Sequence, residues 1–207
     1  MIGLLPARNL HLGIRLADTL GTKMNLFVTL NFSMTECSEE LVSQKFSELR
    51  AAFVKWVRRP TKAERKHAAP PTFVWVIENE GGYLHAHWLL HVPPARQDEF
   101  AKKLEAWFSH FAGEVKHDQA IHIEPAHNPL GAGRYMLKGQ HPSLAREYGI
   151  EYINQGRVTD RRIGHSRNVG PVQVSKMRKL GKFPKGRRFT RWAAGEMPGW
   201  VPRLTSS

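Results

Sequence analysis

The chain has 207 residues, 41% of them hydrophobic and 10% aromatic, which is enough apolar material for one well-cored domain and excludes a disordered chain. Lys and Arg number 31 against 18 Asp and Glu, a formal charge of +13; a surplus of that size points to a polyanionic partner, with nucleic acid ahead of a ribosomal or membrane-surface role. The single Cys37 excludes an internal disulfide or a cysteine-based zinc cluster and fits a reducing cytosol. No run approaches the roughly 18 apolar residues of a membrane helix, so a cytoplasmic protein with no membrane partner is expected.

Residues 1–23 carry Leu4, Leu5, Leu10, Leu12, Ile14 and Leu16, interrupted by Arg8, His11, Arg15 and Asp18. That pattern lacks the apolar core of a signal peptide and reads as an N-terminal arm that either packs on the domain or helps bind DNA. Leu26 to Phe32 alternates and is rich in strand formers, so it predicts a strand. Ser33 or Thr35 can cap a helix running to about Arg58, with Leu41, Phe46, Leu49, Phe53 and Trp56 at helical spacing and Pro60 ending it. A basic loop to His67 and the Pro70-Pro71 pair follow.

Thr72 to Glu78 and Tyr83 to Val92 predict an antiparallel hairpin across the Asn79-Glu80-Gly81-Gly82 turn. Arg96 to Ala112 predicts a helix, Ala120 to Glu124 a fourth strand, and Gly133 to Gly139 or beyond a further helix. The order strand, helix, strand, strand, helix, strand is that of an α+β, RRM- or ferredoxin-like fold. An antiparallel sheet with helices on one face is expected, the other face being left open for a site. The domain spans residues 24–155. Residues 156–207 form a basic C-terminal extension in which Arg157, Arg161, Arg162, Arg167, Lys176, Arg178, Lys179, Lys182, Lys185, Arg187, Arg188 and Arg191 face one acid, Asp160, before Glu196. It reads as having little core of its own, either a DNA-binding extension or a solvated tail.

Two short strings carry chemistry. His85 and His87 lie two apart on a strand, so both imidazoles share one face and can chelate one ion. Glu78 sits on the partner strand and can complete a two-histidine, one-carboxylate set; Glu80 shares its parity but lies nearer the turn. Such a set, with positions left for water or phosphate oxygens, suits a hard divalent ion. His91 has the same parity but lies roughly 13 Å from His87 at about 3.3 Å per residue, too far for the same ion. The second string is Gly133-Arg134-Tyr135-Met136-Leu137-Lys138-Gly139. Tyr135 and Lys138 are three apart and share one side of a helix. A tyrosine can attack a phosphodiester, and a neighbouring ammonium favours its ionised form.

The ordered set resembles the HUH endonucleases. His85-Ala86-His87 is similar to their His-hydrophobic-His signature, Phe27 to Phe32 to their first strand motif, and Tyr135-Met136-Leu137-Lys138 to the Tyr-x-x-Lys motif of the replication-initiator class. The resemblance covers roughly residues 24 to 140. It implies an enzyme that nicks and rejoins single-stranded or hairpin DNA through a 5′-phosphotyrosine and initiates rolling-circle replication of a plasmid or phage. It implies Mg²⁺ or Mn²⁺ held by His85, His87 and Glu78, Tyr135 as nucleophile, Lys138 assisting, and DNA contacts from Arg134 and the basic extension at Arg157, Arg161, Arg162, Arg167, Lys176, Arg178 and Lys179. No second tyrosine follows Tyr135 within a helical turn, and Tyr148 and Tyr152 lie further along, which implies a single-tyrosine enzyme. The sequence has no Gly-x-x-x-x-Gly-Lys-Ser/Thr phosphate loop, so unwinding is expected to need a host helicase. The competing readings are a single-tyrosine transposase, a non-catalytic single-strand binder, and a metal-dependent hydrolase with no covalent step.

Overall fold

A computed structural model describes residues 1–60, 62, 65, 68–147 and 149–184. Five strands form one antiparallel sheet: β1 (Leu26–Asn31), β2 (Phe73–Glu80), β3 (Tyr83–Leu90), β4 (Ile121–Pro125) and β5 (Ile163–His165). Their spatial order is β4-β1-β3-β2-β5. The first four strands with their two connecting helices make the expected split β-α-β arrangement, and the fold is α+β of the RRM- or ferredoxin-like kind.

Period-two alternation sorts the sheet's side chains onto two faces. On one, Val28, Leu30, Trp75, Ile77, Ala86 and Trp88 meet α2 (Val42–Val57) and α3 (Gln97–Ala112). Phe46 and Phe53 from α2 and Phe100 and Phe108 from α3 fill this layer, and Phe53 stands edge-on to Trp88 at 4.9 Å between ring centroids. Edge-on contacts suit the ring quadrupoles.

The opposite face is not left open. The arm forms α1 (Leu4–Thr19), and its buried Ala7, Leu10, Ile14 and Ala17 pack with Phe27, Val74, Val76 and Leu89. Ala132 and Met136 of α4 (Pro129–Met136) join the same cluster. Apolar side chains alternate onto this side of β1, β2 and β3 too, so it needs cover; only its far end, where β2 and β3 become polar, keeps a site.

The basic extension also departs from expectation. β5 adds to the β2 edge, with Gly164 opposite Trp75, and α6 (Pro171–Lys179) packs Val174 and Met177 against Leu12 and Leu16 of α1. Residues 156–184 thus share core with the arm. Lys185, Arg187, Arg188, Arg191 and Glu196, like His67 and Tyr148, lie outside the described residues.

Two helix boundaries move. α2 starts at Val42, not at Ser33 or Thr35. Asn31 Oδ1 accepts from the Ser33 amide, Thr35 Oγ1 donates to the Phe32 carbonyl, and the Cys37 amide donates to Thr35 Oγ1. These local bonds compete with helix formation. α4 begins at Pro129, capped by Asn128 Oδ1 on the Gly131 amide, and ends at Met136. A fifth helix, α5 (Pro142–Glu147), follows it in the chain.

Because α1 covers apolar sheet, Ile14→Ala is expected to cost about 2–5 kcal/mol, whereas Leu5→Ala, at an exposed position, should stay within about 0.5 kcal/mol. Urea melts of the two variants check this; equal and small losses would mean that α1 is not docked.

Candidate active site

Pairing register brings the polar residues of the covered face together. β3 lies between β1 and β2, with His85 opposite Asn31 and Glu78, and His87 opposite Thr29 and Val76. The two imidazoles stack at 6.1 Å between centroids with 22° between planes. Phe27 stacks on the other side of His87 at 5.4 Å, and Tyr135 meets His87 edge-on at 5.4 Å. α4 therefore sets Tyr135 against His87, the inner member of the histidine pair.

Lys138 follows the end of α4 instead of lying within it, yet it remains on the Tyr135 side because its amide closes the last turn on the Tyr135 carbonyl. Its ammonium donates to Tyr135 Oη at 2.8 Å and lies 3.1 Å from Glu78 Oε2 and 3.5 Å from Glu80 Oε2. Those three oxygens match the three donors of an ammonium. Glu78 Oε2 also faces His87 Nε2 at 3.1 Å, and Thr29 Oγ1 lies 3.0 Å from His87 Nδ1. An ionised carboxylate only accepts, so Nε2 carries the proton; in the neutral ring Nδ1 then accepts from the Thr29 hydroxyl.

Burial works against the charges here and the pairings outweigh it. Glu78 is 1% exposed; burial raises its pKa, but His87 and Lys138 together hold it below the ordinary carboxylate value. Burial likewise opposes the Lys138 charge, but Glu78 and the Tyr135 hydroxyl keep its pKa above the ordinary lysine value. Burial pushes the Tyr135 phenol up despite the Lys138 contact, so at neutral pH it is an un-ionised phenol beside an ammonium. His85 is brought down to about 4, first by burial and then by His87, and is neutral at pH 7.

The expected metal ligands lie on one face, but among the described residues no three His, Cys, Asp or Glu side chains form a ready-made metal-holding group. Glu78 Oε2 is engaged by His87 and Lys138 instead. The donor chemistry nevertheless fits a divalent ion. Glu78 Oε1 is buried without a hydrogen-bond partner, and His85, neutral, makes no hydrogen bond to the described residues. Of the two candidate carboxylates, Glu78 is the one beside the histidines; the Glu80 side chain is 47% exposed and accepts from Gln155 Nε2 at 3.1 Å. His91 is remote from the set and its Nδ1 bonds the Lys23 carbonyl.

The expected DNA-contacting residues scatter. Arg134 is half-buried on α4 and its pKa is lowered by burial. Arg162 bonds the Gln155 and Gly156 carbonyls and so ties the strap over β2 together. Arg157, Arg161, Arg167, Lys176 and Lys179 are exposed, and Arg178 is half-buried. Thr29, Glu80 and Gln155 also belong to the site. Thr29 could have been found from its parity with Phe27; Gln155 carried no local signal, since its contact spans 75 residues. Gly156 makes that contact possible. Its φ is +57°, and a Cβ there would lie 1.9 Å from the Asn79 carbonyl oxygen.

Comparison of the chain with protein-family models, with curated proteins and with solved structures finds no match.

Two outcomes test this electrostatic arrangement. Lys138→Met leaves Glu78 buried beside one partner fewer and should destabilise by about 3 kcal/mol; adding Glu78→Gln should recover part of that loss, and a fully additive double variant would deny the coupling. His85 binds its proton near 6.5 when unfolded and near about 4 when folded. Its contribution to stability is therefore complete above pH 6.5 and falls as pH drops through that window. Denaturation midpoints across pH 4–7 should fall less steeply in His85→Gln.

Proposed function

We propose that the protein is a metal-dependent single-stranded DNA endonuclease and strand transferase of the HUH kind, using Tyr135 as a single nucleophile. The observation that carries this reading is the 2.8 Å contact of Lys138 Nζ with Tyr135 Oη, made beside His87. A tyrosine alone is an ordinary helix residue. One joined to a buried ammonium and set edge-on against a candidate metal-binding histidine is placed to become a phenoxide next to a bound phosphate.

In the proposed step the Tyr135 phenol gives its proton to water and Oη bonds to phosphorus. The P–O3′ bond breaks, and the 3′ oxygen takes up a proton to leave a free 3′-hydroxyl. The products are a 5′-phosphotyrosine and a strand end that can later attack it, so rejoining needs no nucleotide cofactor. Lys138 stabilises the developing phenoxide and orients it. His85, His87 and Glu78 would hold Mg²⁺ or Mn²⁺, which supplies Lewis-acid polarisation of the scissile phosphate when bound. Ligation by His87 Nε2 would place the ring proton on Nδ1, which then donates to Thr29 Oγ1. Thr29 holds the His87 ring by its other nitrogen.

The partner in this reading is single-stranded or hairpin DNA at a replication origin or element end, with a host helicase for unwinding. Replication initiation on a plasmid or phage leads; transposition by a single-tyrosine enzyme is served by the same geometry. No helix among the described residues is long and apolar enough to cross a membrane. A non-catalytic single-strand binder would account for the +13 charge, but it gives no reason for a buried Lys138 to hold Tyr135.

Incubation with labelled single-stranded oligonucleotides and Mn²⁺ should give an adduct that survives denaturing gels. Tyr135→Phe should abolish it while leaving binding intact, and His85→Ala or His87→Ala should cut its yield at least tenfold. An adduct undiminished in Tyr135→Phe overturns the nucleophile; undiminished cleavage in both histidine variants overturns the metal site.

A further inference from the structure

At the β2–β5 edge, on the α2 side of the sheet, two arginines meet over one indole. Arg50 of α2 places Cζ 4.2 Å from the Trp75 ring centroid and 4.9 Å from that of Phe46. Arg161, just before β5, places Cζ 5.9 Å from the Trp75 ring. Each guanidinium is anchored through Nε: Arg50 donates to the Phe46 carbonyl at 3.3 Å and Arg161 to the Ile163 carbonyl at 2.8 Å. Among the described residues neither guanidinium has a carboxylate within ion-pairing distance, Asp160 included.

The indole is open to both arginines because Gly164 lies across it. A Cβ at Gly164 would stand 2.6 Å from Trp75 Cε2 and Cζ2, so no other residue fits without displacing β5. Burial and then Arg161 bring the Arg50 pKa down to about 10. Like charges held together at a half-buried place, with no acid between them, are stabilised by an anion. Beside them, between α1 and β5, a cavity of about 180 Å³ is lined by Asn9, Leu10, Arg161, Ile163 and His165 among others.

We propose that Arg50 and Arg161, stacked on Trp75, form a subsite for one backbone phosphate of a single-stranded nucleic acid, with the adjoining cavity taking part of the neighbouring nucleotide. Two planar forks pinned at Nε match the paired oxygens of a phosphodiester. The two arginines on Trp75 lie on the opposite side of the sheet from Glu78 and Tyr135, and the cavity lies where α1 meets β5 on the Tyr135 side, so the site engages a strand that passes round the β5 edge. The inference deepens the nucleic-acid part of the reading above and does not depend on Tyr135 chemistry.

The test is the salt dependence of oligothymidylate binding, followed by fluorescence anisotropy with the full chain carrying Tyr135→Phe so that nothing is cleaved. Replacing both residues, Arg50→Gln with Arg161→Gln, should weaken binding severalfold at low salt and reduce the magnitude of the log–log salt slope by about 0.7, one phosphate's share for a single strand. Arg161→Gln alone, at an exposed position, should move both in the same direction without disturbing the fold. Arg50→Lys with Arg161→Lys should keep the slope while losing some affinity. Affinity and slope equal to the parent's in both glutamine variants overturn the subsite. So does a site that takes only free phosphate: inorganic phosphate would then raise the melting temperature of the parent but not of Arg161→Gln, with DNA binding unchanged. Since binding is read without cleavage, an inert Tyr135 leaves this result untouched, and a cleaving enzyme with an unchanged slope would sink the subsite alone.

Discussion

The site depends on one ammonium. Lys138 Nζ stands among the Tyr135 hydroxyl and the Glu78 and Glu80 carboxylates, and it is the only cation among the described residues that ion-pairs with Glu78, apart from His87 if protonated. Remove it and Glu78 keeps a buried charge answered by His87 alone, while Tyr135 loses the group that makes its ionisation affordable. A lysine held this way is a stability element and a chemical one at once. The same contact that offsets burial of the carboxylate also fixes Tyr135 beside His87.

Several remote parts of the chain converge on that contact. The end of α4 places Tyr135 and lets the chain turn so that Lys138 points back. The register of β1, β3 and β2 lines up Thr29, His87, His85 and Glu78. The strap after α5 brings Gln155 onto Glu80, and the Arg162 guanidinium bonds the Gln155 and Gly156 carbonyls within it. α1 supports the arrangement from below by packing against α4, where Ile14 fills the space a Gly133 side chain would need. The basic extension is thus two things: β5 and α6 complete the body of the protein, and some of its arginines remain exposed.

Much of this was legible in the sequence because it follows from local periodicity. Alternation places His85, His87 and Glu78 on one face whatever the tertiary detail, and the glycine turn at 81–82 makes the hairpin that brings them level. The three-residue spacing of Tyr135 and Lys138 survives even though the helix stops between them, since a closing turn keeps the same side. What was not legible depends on long-range packing. α1 interleaves polar and apolar residues, and whether its apolar side docks depends on what the far face of the sheet offers. The three residues of β5 are too few to show alternation. Ser33 and Thr35 look like helix caps, but the Asn31 and Thr35 side chains close a different local turn, and Ser33 Oγ accepts from the Leu84 amide of the distant hairpin. Nothing near Gln155 in sequence points to Glu80.

The central claim is that Tyr135 Oη becomes covalently joined to DNA. Trypsin digestion of the protein after reaction with a single-stranded oligonucleotide and Mn²⁺, followed by nuclease trimming and mass spectrometry, reads that bond directly. Arg134 and Lys138 bracket the residue, so the account predicts nucleotide mass on the peptide Tyr135–Lys138. Nucleotide on a peptide bearing Tyr83 or Tyr152, or cleaved DNA with no linked peptide at all, would contradict it.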